Sequence, residues 1–352
     1  MMKRFVLMKK VCFIFLIVGL VLVGCAVPIT PATVSAPTPE VYKLRFSSSL
    51  NPGNMSLVGT QEWCEYIEAH SGGRLKVQLF DSGSLYPSEK ALEAVMMGMC
   101  EGEQALPNDL VKIMPEFEVL GAPGIMTTAE RFAKIADGEI GAKLWESLER
   151  KGLKGIALVT VGGYGKCSGG YACKTRFIKV PADFAGLKIR ITFNLEGDMI
   201  SKYGGVPVTM PGGEQFMALK LGTIDGSRCG LSHYPERKLD EAGATYWTSC
   251  PIAGGMAYIV MLNKDWFDKL PSDLQVLLVE SGKRIIDVGH RQLMENYDKL
   301  NYQYAVDHGV LFCELTPEDM AAWKGDVDLI IDKMKAKDTG LKELIEMAEE
   351  LL

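Results

Sequence analysis

The sequence predicts an α/β fold organised as a two-lobed clamshell in which a long helix spans both lobes. Its 352 residues are enough for two domains of about 150 residues each, with a cleft between them. Strand and helix patterns alternate along the chain, which is typical of helices packed on a parallel sheet. Apolar residues at helical spacing continue from Ser272 to Asp307. About 36 residues at about 1.5 Å each would make a helix of about 54 Å, longer than one small domain.

The first strands and helix follow one another as a β-α-β unit. A strand begins at Leu44–Phe46, Thr60–Ala69 has the spacing of an amphipathic helix, and Leu75–Phe80 alternates apolar with polar residues. Two strands joined through a helix pair in parallel and place that helix on the sheet. The pattern therefore predicts a helix-covered parallel sheet near the start of the globular region.

The carboxyl-terminal third is predicted to be mainly helical. Gly282 and Gly289 fall inside the long apolar repeat, so two shorter helices are the alternative to one continuous helix. Thr316 followed by Pro317 predicts the start of a further helix, because threonine caps helices and proline is tolerated in their first turn. We expect lobe I to comprise residues 41–163 and about 255–290, and lobe II residues 164–254 and about 291–352.

The amino terminus has the pattern of an export signal. Four basic residues at positions 3, 4, 9 and 10 precede an apolar run over 11–23, which is short of the about 20 residues of a membrane span. Gly24 and Cys25 follow, and small residues before a cysteine resemble the lipobox of bacterial lipoproteins. We expect a signal peptide over 1–24, lipid attachment at Cys25 and a membrane-anchored protein; cleavage elsewhere is the alternative.

Composition limits the partners of the exported chain. Residues 25–40 are rich in Pro, Thr, Ala and Ser and predict a flexible tether. The net charge is −6, and loss of the four basic residues of the signal takes it to about −10. Such a chain has no attraction for nucleic acid or for an anionic membrane surface. A site for an anion must therefore be a local concentration of positive charge.

The nine cysteines indicate neither a metal site nor a cofactor. No C-x-x-C motif and no Cys/His pair at ligand spacing occurs. Cys167 and Cys173 are close enough to form a disulfide, with buried free thiols as the alternative. Gly162–Lys166 hints at a phosphate loop but lacks the first glycine and the final Ser or Thr, and neither G-x-S-x-G nor H-E-x-x-H is present. We expect no enzymatic activity.

The segment from Asp183 to Gly226 carries the clearest functional pattern. It reads D-F-A-G-L-K-I-R-I, then S-K-Y-G-G-V-P-V-T-M, then E-Q-F-M-A-L-K-L-G-T-I-D-G. Earlier in the chain come H-S-G-G-R-L-K-V-Q-L-F, G-S-L-Y and K-A-L-E-A-V-M-M-G. In this order the motifs resemble the solute-binding proteins of TRAP transporters, the tripartite ATP-independent periplasmic systems, of the dicarboxylate-binding-subunit type.

This resemblance implies a periplasmic-binding-protein-like clamshell that captures an organic acid outside the cytoplasm and delivers it to a membrane permease. In the family, the arginine of G-L-K-I-R binds the carboxylate, which places that role on Arg190. A guanidinium group is always charged and matches a carboxylate with two parallel hydrogen bonds. The alternatives are a structural ion pair for Arg190 and, for the protein, an ABC-type or sensory binding lipoprotein for another small solute.

Alignment with the family motifs predicts the rest of the pocket. Its expected residues are Ser49, Ser88, Ala105 and Pro107 in lobe I, and Gly170, Phe193, Gly212, Arg228 and Cys229 in lobe II. Most are small or apolar, so we expect an acid with an apolar or aromatic body. Many members have a second arginine where this chain has Gly170. Lys166, Arg176 and Arg228 are the candidates to replace that charge.

Overall fold

The computed structural model describes residues 40–351 apart from 53, 127, 162–168, 192–193, 251–255 and 285–289. Within these residues eleven strands form, namely β1 (Tyr42–Ser48), β2 (Leu75–Phe80), β3 (Gly102–Ala105), β4 (Leu153–Val161), β5 (Gly170–Cys173), β6 (Lys188–Ile191), β7 (Val206–Thr209), β8 (Gly226–Cys229), β9 (Tyr246–Ser249), β10 (Met256–Asn263) and β11 (Leu311–Glu314).

Thirteen α-helices form in the same part of the chain. They are α1 (Met55–His70), α2 (Ser88–Met96), α3 (Pro107–Leu110), α4 (Ala129–Ala136), α5 (Glu139–Arg150), α6 (Asn194–Lys202), α7 (Gln215–Leu221), α8 (His233–Arg237), α9 (Lys264–Asp268), α10 (Ser272–Arg284), α11 (His290–Asp307), α12 (Pro317–Lys337) and α13 (Thr339–Glu349). None of the described helices is long and apolar enough to cross a membrane.

The strands make two sheets. The first sheet has the order β2-β1-β3-β10-β4, and the second sheet has the order β11-β9-β5-β8-β6-β7. β1 pairs in parallel with β2, Tyr42 opposite Leu75, and α1 joins them, which confirms the predicted β-α-β unit. β10 returns to the first sheet, where it runs antiparallel to β3 and β4. The residue boundaries of the lobes stay a prediction.

Buried tryptophans fasten helices onto both sheets. Trp63 of α1 packs edge-on against Phe46 at 5.6 Å between ring centroids, and its Nε1 donates to Ser281 Oγ of α10 at 2.7 Å. Trp323 of α12 packs on Phe184 and donates from Nε1 to the carbonyl of Lys179 at 2.7 Å. Indole N–H groups usually have such partners when they are buried. The helices are therefore held by directed bonds as well as by apolar contact.

Two sequence predictions concern segments that the structure describes only in part. α10 and α11 cover most of the predicted long helix, but residues 285–289 lie outside the described residues, so its continuity stays a prediction. Cys173 is a buried free thiol, which favours the second alternative for the cysteines. Its potential partner Cys167 lies outside the described residues.

Candidate carboxylate-binding site

Arg190 is fixed by the strands around it. β6 lies between β7 and β8, parallel to both, so the following loops meet at one edge of the sheet. Ligands of open α/β sheets bind beyond this carboxyl edge. The guanidinium donates from Nε to the carbonyl of Met210 and from Nη1 to that of Arg228, both at 3.2 Å, and the residue is 9% exposed. The predicted anchor therefore has a fixed and nearly buried position.

Contacts around the start of β6 explain why Asp225 and Gly226 stand at the end of the same sequence block. Asp225 Oδ2 accepts a hydrogen bond from Lys188 N at 2.8 Å, and Asp225 N donates to the Lys188 carbonyl at 2.7 Å. At Gly226, a Cβ atom would lie 2.5 Å from Cys173 Sγ. The aspartate thus secures β6, and the glycine leaves room for the neighbouring strand.

Arg228, one of the candidates for a second cation, lies beside a buried carboxylate. Its Nε is 3.6 Å from Glu196 Oε2, and Glu196 Oε1 accepts a 2.5 Å hydrogen bond from the Tyr171 hydroxyl. Burial raises the pKa of Glu196, while Arg228, then Tyr171, act in the opposite direction. The positive charge of Arg228 therefore already interacts with the buried carboxylate of Glu196.

Arg237 is a third guanidinium at the site, and sequence reasoning missed it. It belongs to α8, and its Nη1 donates to Nδ1 of His233 at 3.1 Å. A Cβ atom on Gly212 would lie 2.6 Å from the same Nη1, so Gly212 is in direct contact with this guanidinium. The predicted pocket residue Gly212 thus leaves room for a cation.

The three arginines change the titration of their neighbours. Burial lowers the pKa of Arg190 to about 10, and repulsion from Arg237 adds to the effect, yet the group stays charged at pH 7. Burial, then Arg237 and Arg190, hold the pKa of His233 well below its usual value. His233 is therefore neutral at pH 7, as its role as an acceptor for Arg237 requires.

On the first sheet, three of the predicted residues meet at one edge. Ser48 is opposite Gln104 in the parallel pair of β1 and β3, so Ser49 and Ala105 occupy equivalent positions. Pro107 begins α3 directly afterwards, and Ser88 begins α2. Ala105 and Pro107 are buried, whereas Ser49 and Ser88 are half-buried. Their arrangement around a ligand stays a prediction.

The remaining predicted residues of the second sheet have separate positions. Gly170 lies opposite Cys229 in the antiparallel pair of β5 and β8. A Cβ atom on Gly170 would be 2.1 Å from the carbonyl oxygen of Thr248, so the close approach of β9 leaves no space there for an arginine. Burial raises the pKa of the Cys229 thiol to about 12. Phe193 lies outside the described residues.

Of the other proposed cations, Arg176 binds away from this edge. It donates to the carbonyls of Asp183 and Ala185, in the turn that precedes β6, and it is exposed. Arg190 lies near the opposite end of β6, so the structure does not bring the two together. Lys166 and the lipid-attachment residue Cys25 lie outside the described residues.

A contact from α1, the helix that joins β1 to β2, reaches the helix that carries Arg237. Asn54, which caps α1, donates from Nδ2 to Glu236 Oε2 at 3.4 Å. Burial raises the pKa of the Tyr258 phenol on β10, and Arg237 is the largest of the charges that oppose the shift. Tyr258 was not predicted as a site residue because its strand reads as an apolar run.

Within the described ranges, no group of three or more His, Cys, Asp or Glu could hold a metal ion.

Known proteins resemble the chain over most of its length. It is 30% identical over 302 residues to the C4-dicarboxylate-binding periplasmic protein DctP of Rhodobacter capsulatus, covering 84% of this chain and 87% of the relative. It is 25% identical over 276 residues to the 2,3-diketo-L-gulonate-binding periplasmic protein YiaO of Escherichia coli, covering 76% and 80%.

Solved structures share the fold. A TRAP periplasmic solute-binding protein from Sulfitobacter sp. NAS-14.1 with bound β-D-galacturonate superposes with a TM-score of 0.79 at 21% identity, covering 88% of this chain and 100% of that one. One from Desulfovibrio salexigens with bound orotic acid gives 0.78 at 21% identity, covering 88% and 98%. The predicted two-lobed α/β clamshell is confirmed.

Residues 46–338 match the sequence model of a protein family, DctP, the bacterial extracellular solute-binding proteins of family 7. This family consists of transport binding proteins that act outside the cytoplasm, and the match does not favour the ABC-type alternative. The TRAP resemblance predicted from the Arg190 block is confirmed, and the chain belongs to the DctP family of extracellular solute-binding proteins.

Proposed function

We propose that this protein captures an organic acid by its carboxylate at Arg190 and delivers it to the membrane permease of a TRAP transporter. The observation that carries the proposal is the fixed, nearly buried guanidinium of Arg190 at the carboxyl edge of the second sheet. A bidentate pair with a carboxylate is strongest where water is excluded. The relatives are named as binding proteins for C4-dicarboxylates and for a sugar acid. These names support the same ligand chemistry.

The body of the ligand is proposed to be apolar or aromatic. Ala105, Pro107 and Gly212 offer no hydrogen-bonding side chain to a row of hydroxyl groups. Burying hydrocarbon against such residues contributes about 25 cal/mol per Å². A buried hydroxyl without a partner costs about 1 to 3 kcal/mol. The site therefore rewards an apolar body more than a polyhydroxylated one.

Binding is proposed to close the clamshell. Ser49, Ser88 and Pro107 approach the ligand from the first sheet, and Arg190 holds it from the second. A ligand that contacts both sides stabilises the closed form over the open one. The closed form can also make the hydrogen bond between Asn54 and Glu236, which is 3.4 Å long. The proposal assigns the protein no catalytic step.

Thermal shift with a panel of aliphatic, dicarboxylic, aromatic and sugar acids tests the binding function. A ligand at 100 times its dissociation constant adds about 2.7 kcal/mol of stability. Arg190→Met leaves the ligand charge unpaired and should weaken binding by about 2 to 5 kcal/mol, about 30-fold to several-thousand-fold. Arg176→Met, an exposed arginine near the other end of β6, is the matched control. An Arg190→Met protein that binds its acid within about threefold of wild type would contradict the proposal.

Membrane anchoring through lipid on Cys25 is a separate proposal. It is supported by the basic n-region, the apolar run over 11–23 and the small residue before the cysteine. The tether of residues 25–40 would then separate the binding domain from the membrane. Intact-mass measurement of the exported protein should show a diacylglyceryl group that Cys25→Ser lacks. A wild-type protein released unmodified into the soluble fraction would instead indicate an ordinary signal peptide.

A further inference from the structure

The guanidinium groups of Arg190 and Arg237 both lie against the short backbone segment from Met210 to Gly212. Arg190 Nε donates to the carbonyl of Met210, and the guanidinium of Arg237 lies against Gly212, two residues further on. Consecutive Cα atoms are about 3.8 Å apart, so the two attachment points are within about 8 Å of each other. Two cations are therefore neighbours at the carboxyl edge of the second sheet.

The charge of Arg237 is not balanced by a carboxylate in the described part of the chain. There its guanidinium has one hydrogen bond, to the ring of His233 at 3.1 Å, and no ion pair. His233 is neutral at pH 7, so it orients Arg237 without compensating its charge. Like charges so close raise the energy of the empty site, and an anion between them lowers it.

The helix α8, which carries Arg237, contacts the amino-terminal end of α1. Glu236, next to Arg237, accepts a hydrogen bond from Asn54 at the start of α1, the helix that joins β1 to β2. Tyr258 of β10 is within electrostatic reach of both Arg237 and Arg190. Arg237 is thus close to residues of both sheets, as a group that contacts a ligand between them must be.

We propose that Arg237 is a specificity-determining residue that binds a second anionic group of the ligand. Because its attachment point is within about 8 Å of that of Arg190, the preferred ligand is a compact diacid rather than a long one. The assignment rests on the proposed function, since Arg190 must hold the first carboxylate. It places the second positive charge on α8, which follows Arg190 in the sequence. Gly170, where the family alignment places that charge, precedes Arg190.

Calorimetric titration with skeleton-matched acids tests the role of Arg237. Suitable pairs are succinate with butyrate, glutarate with pentanoate, and phthalate with benzoate. Wild type should bind at least one diacid about tenfold or more tightly than its monoacid partner. Arg237→Met, which keeps the length of the side chain without its charge, should bring that ratio to about one. Arg176→Met should leave the ratio unchanged.

Gly212→Ala gives an independent perturbation that leaves the arginine in place. Its methyl group would occupy the space of the Arg237 guanidinium, whereas Gly213→Ala adds a methyl group where no atom lies within 4 Å. The diacid preference should fall in Gly212→Ala and persist in Gly213→Ala. Melting temperatures without ligand identify any variant that fails to fold, and Arg237→Lys should recover part of the preference.

The outcomes separate this inference from the function on which it rests. Loss of all acid binding in Arg190→Met, together with equal weakening of diacid and monoacid in Arg237→Met, would assign Arg237 a structural role and overturn the inference. Wild type that binds only monoacids would do the same while the proposed function stands. Wild type that binds no carboxylate of any kind would overturn both.

Discussion

The Tyr171 hydroxyl donates a 2.5 Å hydrogen bond to Glu196 Oε1 in the interior of the second sheet. The other carboxylate oxygen, Oε2, has no hydrogen bond within the described residues and lies 3.6 Å from Arg228 Nε. A carboxylate held in this way supplies negative charge next to a site proposed to bind an anion. Glu196 therefore stabilises the empty protein and competes electrostatically with the ligand.

Glu196→Gln should make the empty protein less stable and the ligand-induced stabilisation larger. Removing one partner of a buried ion pair costs about 3 to 5 kcal/mol, and a bound anion replaces the lost charge in part. Thermal unfolding with and without a bound acid measures both quantities. Asp326→Asn, which removes a buried acid of α12 bonded to Lys202 and Tyr203, is the control. An equal ligand-induced shift in wild type and Glu196→Gln would show that Glu196 does not oppose binding.

The buried carboxyl group of Glu103 should make the free energy of unfolding of the protein depend on pH. Glu103 is 2% exposed, its Oε2 has no hydrogen bond within the described residues, and burial, then Asp109, raise its pKa from 4.5 to about 9. Between about pH 4.5 and pH 9, Glu103 therefore keeps its proton in the native state and loses it in the unfolded chain. Its contribution to stability is complete below about pH 4.5 and is lost as the pH rises towards 9, by about 1.4 kcal/mol per pH unit.

Glu103→Gln removes that titration. Between pH 5 and 8 the free energy of unfolding of the variant should fall less steeply than that of wild type. Urea denaturation at several pH values measures the slope, with Glu93→Gln, a change at an exposed position, as control. Parallel curves for wild type and Glu103→Gln would mean that Glu103 titrates normally.

The sequence allowed the architecture to be predicted because its signals there are local. Alternation and helical spacing located the β-α-β unit of β1, α1 and β2. The predicted helix start at Thr316 is confirmed by its side-chain hydrogen bond from Asp319 N at 3.1 Å. Arg190 was identified through an ordered set of motifs, and the structure shows why those residues occur together, since Asp225 binds the backbone at the start of β6.

Arg237 could not be found by the same reasoning. α8 has five residues, too few for a periodic pattern, and no motif surrounds this arginine. Its position beside Arg190 depends on the pairing of β6 with β7 and β8 and on the contact with Gly212, which are long-range relationships. The family alignment pointed instead to Gly170, where the backbone of β9 excludes a side chain.

Trp323 should contribute more to stability than other apolar residues of α12. It is 2% exposed, packs on Phe184 at 5.8 Å and donates to the Lys179 carbonyl. Trp323→Ala should cost about 3 to 5 kcal/mol by opening a cavity, and Trp323→Phe less. Chemical denaturation measures both, and Leu329→Ala, at a residue of α12 that is 47% exposed, should change stability by less than about 0.5 kcal/mol. Similar costs for Trp323→Ala and Leu329→Ala would show that α12 is not fastened by this ring.

A side chain at Gly226 should destabilise the protein, because β8 is enclosed by β5 and β6. A Cβ atom there would be 2.5 Å from Cys173 Sγ and 3.0 Å from the Ala172 carbonyl oxygen. Gly226→Ala should therefore destabilise the protein by about 1 to 3 kcal/mol. Gly325→Ala, in an open position of α12, should instead stabilise it by up to about 1 kcal/mol.

A double-mutant cycle identifies the atom responsible for the cost at Gly226. Cys173→Ala removes the nearest obstacle, so in its presence Gly226→Ala should cost less than it does alone, with a coupling free energy of about 0.5 to 3 kcal/mol. Denaturant unfolding of the four proteins of the cycle supplies the values. If the two costs simply add, the obstacle is the Ala172 carbonyl oxygen or Ile189 Cδ1, each 3.0 Å from the added Cβ, and the glycine is required by the neighbouring strands rather than by the thiol. Either way the glycine of the D-G pair acts on packing next to Arg228, whereas Asp225 acts on the strand that carries Arg190.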